Sequence, residues 1–265
     1  MRPGTPFAKW LWDNRRSVVG WSLAIAAVGG TYAAFWPTID DPDMQAAIAN
    51  YPEGLLEAIN YTDISTAAGY LDATVYGLLV AVLMIVYSIG VGTRIIAGEE
   101  GAGRLDLVLA HPVSRRRLAV ERFAAFVVTV AIVAIVLLLV LLALTRPAHL
   151  DGIALTGLVG MNVHVLVFAA FFGSIAFAVG AATGHRGPAV GAGAGVAVFG
   201  FAANGILPQV DGLEWIDNLS PFQWLNGSTP LENGIDVADV ALMAALSVAL
   251  VAIGTWAFDR RDIAV

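Results

Sequence analysis

Residues 98–122 bring five arginines, four acids and a spaced set of leucines into one short stretch. It reads Gly-Glu-Glu-Gly-Ala-Gly-Arg-Leu-Asp-Leu-Val-Leu-Ala-His-Pro-Val-Ser-Arg-Arg-Arg-Leu-Ala-Val-Glu-Arg. Leu105, Val108 and Leu109 fall at i, i+3 and i+4, which gives a short helix one apolar face. Pro112 ends that helix, because it biases His111 away from αR and has no N–H to donate. Ser114 stands where it can cap the helix that follows. The chemistry on offer is contact chemistry. Glu99 and Glu100 would set polar contacts beside an apolar face that fills a groove on a partner. The plainer alternative is that the two acids only favour the positive end of a helix, worth about 0.3–1 kcal/mol.

Catalytic chemistry is missing. There is no Gly-x-x-x-x-Gly-Lys-Ser/Thr to cradle ATP phosphates, so this chain carries no cofactor site of that kind. There is no His-Glu-x-x-His for a metal, and Ser174 follows Gly173 without a Gly-x-Ser-Gly context. The absence of cysteine removes disulfides, thiolate metal sites and palmitoylation. Arg115, Arg116 and Arg117 beside an apolar stretch read as topology determinants and lipid-phosphate contacts, with no nucleic acid implied. Three polar residues inside apolar stretches, Asn162, His164 and Asn204, are candidates for a substrate path. His164 has no intramembrane carboxylate to partner it and reads more readily as a hydrogen-bonded packing residue. Arg94 reads as an anchor that snorkels to the membrane surface.

The elements that must position these groups are membrane helices. Charged residues make up 13% of the chain, against about 25% in ordinary globular domains, and hydrophobic residues 58%. A bilayer core needs about 20 apolar residues per helix. Six stretches meet that, at about 17–39, 73–97, 122–145, 154–183, 187–208 and 238–258. The expectation is an all-α, polytopic membrane protein, a single membrane-embedded domain over 1–265. The loop 98–121 lies on one side, and 40–72, 146–153 and 209–237 on the other. The fourth stretch exceeds one span, so it tilts or begins with an interfacial segment. His185-Arg186 makes a tight turn, and Pro188 suits the first turn of a new helix. Phe7, Trp10 and Leu11 share one side of a helix, which predicts an N-terminal interfacial helix leading into the first span; snorkelling anchors at a helix end are the alternative.

Basic residues set the sidedness. With both termini, loop 98–121 and the His185-Arg186 turn inside, 13 of the 14 Lys and Arg are cytoplasmic and only Arg146 lies outside. Fourteen of the 21 acids fall on the outer loops: Asp40, Asp41, Asp43, Glu53, Glu57, Asp63, Asp72, Asp151, Asp211, Glu214, Asp217, Glu232, Asp236 and Asp239. The net charge of −7 is therefore a property of the outer surface. A cleaved signal peptide would leave five spans and strand this pattern, so the first span is expected to stay.

Gly98-Glu99-Glu100-x-x-Gly103-x-Leu105-x-Leu107-x-Leu109-x-x-Pro112-Val113-Ser114-Arg115 resembles the cytoplasmic loop between the second and third spans of ABC-2 type transporter permeases. Arg104 and Val108 stand where that family commonly has Thr and Leu. The resemblance implies that Glu99, Glu100, Gly103, Leu105, Asp106, Val108, Leu109, Pro112, Ser114 and Arg115 form a docking segment for a separate ABC ATPase subunit, which would bind ATP and Mg. It also implies a plasma-membrane exporter with a second permease copy, as homodimer or related heterodimer. Trp215, Phe222 and Trp224 resemble the family's re-entrant or interfacial helices between spans five and six, with an aromatic belt as the alternative. Gly187, Gly191, Gly195, Gly200 and Gly205 let backbones approach closely, within one subunit or between two. The apolar walls suit a hydrophobic or amphipathic small molecule, and the acidic outer mouth would favour release of neutral or anionic cargo over cationic. A channel or scaffold not driven by ATP is the alternative function.

Overall fold

Thr5 starts the fold: its Oγ1 accepts the Ala8 N–H at 3.2 Å, and Pro6 supplies the fixed φ of a first helical residue. From there α1 runs unbroken over Pro6–Ala34. The computed structural model describes residues 5–48, 50, 66–105, 108, 110 and 113–262. Five further long helices follow: α2 (Ala67–Gly98), α3 (Arg115–Leu144), α4 (Leu155–Thr183), α5 (Arg186–Gly205) and α6 (Val237–Arg260). All six are long and apolar enough to cross a bilayer, and no strand occurs among the described residues. This is the all-α polytopic architecture expected from composition.

The helix ends differ from the sequence boundaries because caps, not charges, set them. The side chain of Thr66 accepts the Gly69 N–H at 3.0 Å, so α2 begins ahead of residue 73 and carries Asp72 within it rather than in the outer loop. Ser114 accepts the Arg117 N–H at 3.3 Å and starts α3 before its arginines. Asp236 caps α6 through the N–H groups of Ala238 and Asp239. Gly184 ends α4 at φ +75°, a left-handed residue that suits glycine.

The N-terminal amphipathic segment is continuous with the first span. Its apolar face packs on protein: Trp10 is buried, and the Arg122 guanidinium lies 5.6 Å from its ring. The Phe7 N–H also reaches Glu121 at 3.3 Å, tying the start of α1 to the start of α3. Trp12, on the other side, is exposed.

The most enclosed helix is α4, which packs against α2, α3, α5 and α6, while α1 lies along α3. A Cβ on Gly92 would collide with the Gly173 backbone, so α2 and α4 meet where neither has a side chain. Aromatic edges fill the rest of this seam: Phe123 packs on Phe126 and Phe177, and Phe168 on Phe172. Long stretches of α2 have i→i+5 rather than i→i+4 geometry, at Leu71–Val80 and Arg94–Gly98. Both helical termini of the chain lie at the same end of the bundle, together with residues 99–105.

Candidate functional site

At that end α2 stops in a turn whose geometry follows from one glycine. Gly103 has φ +63°, its N–H bonds to Glu100 O at 2.9 Å, and the Arg104 N–H reaches back to Glu99 O at 3.0 Å. This pair of bonds is the Schellman closure, which brings the residue after the glycine over the last turn of the helix. The side chains so juxtaposed are usually apolar. Here they are Arg104 and Glu99, which pair at 2.7 Å and hold the guanidinium pKa above its ordinary value.

Arginines from three other elements close around the turn. Arg122 of α3, only 5% exposed, donates to Ile95 O at 2.9 Å and stands 3.8 Å from Glu99. Arg186 at the start of α5 donates to Gly98 O at 2.7 Å. Arg261, just past α6, donates to both oxygens of Glu100, Nη1 to Oε1 at 3.0 Å. Arg115 donates in turn to Arg261 O at 2.6 Å and Phe258 O at 3.4 Å, and Arg116 pairs with Asp259 at 2.8 Å. Helix C-termini leave carbonyls without partners and carry partial negative charge, so arginines are the natural closure. A Cβ on Gly184 would run into Arg261 and crowd Glu100, so the glycine that ends α4 also makes room for this ion pair. Two acids read from sequence as outward contacts are thus held within a clasp joining α2, α3, α5 and the end of α6.

Leu105 points into the protein. It is 1% exposed and belongs to the hydrophobic core, so it anchors the loop from inside and presents nothing to a partner. Val108 is half-buried and packs against the same core. The side chain of Arg115 reaches onto the end of α6. Asp106, Leu109 and Pro112 lie outside the described residues, as do Glu53, Glu57 and Asp63. Beside the turn opens a cleft of about 660 Å³, lined by residues including Lys9, Trp10, Asp13, Arg94, Glu99, Arg104, Val108 and Arg122. Sequence reasoning passed over Arg122, Arg186 and Arg261 because a basic residue beside a span is explained by topology alone.

The polar residues inside the bundle have separate fates. Asn162, buried, donates to Tyr76 Oη at 2.9 Å and to Leu158 O at 2.8 Å. His164 is fully buried; its Nε2 accepts the Asp236 N–H at 3.1 Å, which leaves the proton on Nδ1 for Trp224 O, also at 3.1 Å. It staples α4 to the segment before α6. Asn204 instead lines a polar chamber at the far end, with Asp72, Gln223, Asn226 and Glu232. Among the described residues no group of three or more His, Cys, Asp and Glu could hold a metal ion.

That far end is built by residues 207–236, which turn back along α4. Ser220 caps a short helix, Pro221–Asn226, and donates to Gly200 O at 2.7 Å. Phe222 packs edge-on to Phe168 and Phe201, and Trp224 to Phe171, so these aromatics face the protein. Trp215 is 59% exposed and alone of the three suits a membrane-surface belt. Glu214 accepts the Gly212 N–H at 3.0 Å, which lowers its carboxyl pKa. On α5, Gly187, Gly191 and Gly195 meet nothing within 4 Å of an added Cβ, so no described neighbour packs closely against them.

Over residues 4–259 the chain matches the family described as multidrug efflux system permease Rv1217c, C-terminal domain. Among curated proteins none matched the chain.

Proposed function

This chain belongs to the family of the multidrug efflux system permease Rv1217c, C-terminal domain, an ABC-2 type permease family, and from that premise we propose that it is the membrane subunit of an ATP-driven exporter. It is a multi-pass membrane protein. In this reading it moves a hydrophobic or amphipathic small molecule outward while a separate ABC ATPase subunit hydrolyses ATP. Both termini and the 99–105 turn face the cytoplasm, as the distribution of arginine suggests. Two permease copies complete the transporter, with the outward glycine face of α5 suited to close helix packing.

The observation that carries the proposal is the clasp. Glu99 and Glu100 join a single turn to Arg122 of α3 and Arg261 beyond α6, while Arg186 ties the end of α2 to α5. A force applied by the ATPase on the surface of this turn reaches four helices through charged, short contacts. The apolar anchoring of Leu105 keeps the turn from sliding under that force. The partner therefore meets the exposed backs of Gly101, Ala102, Gly103 and Arg104, not the buried leucine.

Purification from native membranes in mild detergent tests this. The expected result is a stoichiometric P-loop subunit and vanadate-sensitive ATP hydrolysis. A chain that purifies alone and passes lipophilic compounds without ATP would instead be a channel or scaffold.

A further inference from the structure

We propose that the cleft beside the 99–105 turn seats the phosphate of an anionic phospholipid. Its volume of about 660 Å³ lies within the range of small-molecule sites. Four cations line it, Lys9, Arg94, Arg104 and Arg122, against two carboxylates, Asp13 and Glu99. Glu99 is already taken, since Arg104 pairs with it at 2.7 Å. Among the described residues neither Lys9 nor Arg94 pairs with a carboxylate, and Arg94 makes a single bond, to Gly90 O at 3.2 Å. The rest of the wall is largely apolar and includes Pro6, Trp10 and Leu118.

Arg122 points to the ligand most directly. It is 5% exposed and lines the cleft, yet it makes one hydrogen bond, from Nη1 to Ile95 O at 2.9 Å. Glu99 stands 3.8 Å from Nη2, beyond hydrogen-bond reach. The Nε and Nη2 donors are therefore unpaired in the protein, and neither is among the atoms sealed from solvent. A guanidinium with free N–H groups in a largely buried site suits an oxyanion such as phosphate, which its planar fork can meet in bidentate fashion. Depth in the membrane selects the kind of phosphate. Arg94 is the first charge after the uncharged stretch 73–93, and Arg122 the last before the uncharged stretch 123–144. About 20 apolar residues cross the hydrocarbon core, so both guanidiniums lie at its edge, in the headgroup layer. Basic pockets between membrane helices take anionic headgroups. The apolar wall then meets the glycerol and the first acyl carbons, which a soluble anion lacks. A phosphatidylcholine headgroup is a weaker match, because its own cation meets the excess positive charge.

The probe is dioleoylphosphatidylglycerol, titrated against the full chain in dodecyl maltoside and followed by native mass spectrometry, with dioleoylphosphatidylcholine as the match. The first phosphatidylglycerol should bind at least tenfold tighter than phosphatidylcholine. Lys9→Gln combined with Arg94→Gln should lose about tenfold in affinity for phosphatidylglycerol at an unchanged thermal midpoint. Arg15→Gln combined with Arg16→Gln removes the same charge from α1 outside the cleft and should lose less than twofold. Arg122→Lys, which keeps the charge without the fork, should also weaken binding. Equal affinity for the two lipids would overturn the proposal. So would full affinity in the Lys9 and Arg94 variant, or an equal loss in the Arg15 and Arg16 variant, which would reduce the effect to net charge. Inorganic phosphate that displaces the lipid at equal concentration would assign the cleft to a soluble anion and overturn the lipid assignment. The inference does not rest on the export reading, and no ATPase enters the assay. Lipid binding without ATP-driven transport would fail that reading alone, and transport without selective lipid binding would fail this inference alone.

Discussion

At the scale of single residues, two glycines carry the loop that the proposed function depends on. Gly103 sits at φ +63°, where a side chain costs roughly 1–2 kcal/mol. Gly103→Ala should therefore loosen the turn, measured as faster protease cleavage within residues 99–113, while Gly103→Asn should be milder because Asn tolerates that region. Gly184→Ala combines a left-handed φ with a collision against Arg261. It should break the Glu100–Arg261 pair and reproduce the lowered thermal midpoint of Arg261→Ala, since removing one partner strands the other's charge in a partly buried site. Adding the two substitutions together should then cost little more than either alone, and full additivity would show that the glycine does not act through the pair. Gly103 stood in the sequence only as part of the motif that resembles the family's loop; its left-handed turn came with the structure. The direction of Leu105 was not, because an i, i+3, i+4 pattern gives an apolar face without saying whether core or partner covers it. Leu105→Asp should accordingly unseat the loop by burying a charge, whereas Leu105→Met should leave it in place.

Among the elements, α5 makes the sharpest division between what a helix does for its own fold and what it offers outward. Gly193 and Gly200 press on Ile89 and Pro221, while Gly191 and Gly195 face open space. Gly191→Leu should leave the monomer's thermal midpoint unchanged and shift the particle from dimer to monomer in detergent. Gly193→Leu should destabilise the fold itself. Orientation is read at the same scale. Because the chain has no cysteine, Ala102→Cys and Asp43→Cys give single exposed thiols at opposite ends. An impermeant maleimide should label Asp43→Cys in intact cells and Ala102→Cys only after permeabilisation; the reverse pattern would invert the topology. Hydropathy displayed all six helices, since a span's length and apolarity are local properties. Their ends were less legible, because Thr66 and Ser114 extend α2 and α3 past charges that mark an apparent boundary. The inward packing of Phe222 and Trp224 depends on contacts with α4 far along the chain, which no local pattern displays.

For the whole molecule, the two ends divide the work. One holds arginines against helix C-termini and a turn that three other elements grip. The other holds acids and amides around a chamber, under aromatic packing. The charge asymmetry was plain in the sequence, whereas the pairing of Glu99 and Glu100 with their own subunit's arginines, one of them 161 positions away, was not. In the proposed cycle, ATP hydrolysis at the clasped end drives a lipophilic molecule out at the other. Inverted membrane vesicles containing the chain and its ATPase measure this directly, with a membrane-permeant fluorescent amphiphile as the reporter. Vanadate-sensitive accumulation in inverted vesicles is expected on adding ATP, lost in Arg261→Ala even where the ATPase stays bound. Accumulation that needs no ATP, or that proceeds equally in right-side-out vesicles, would contradict it.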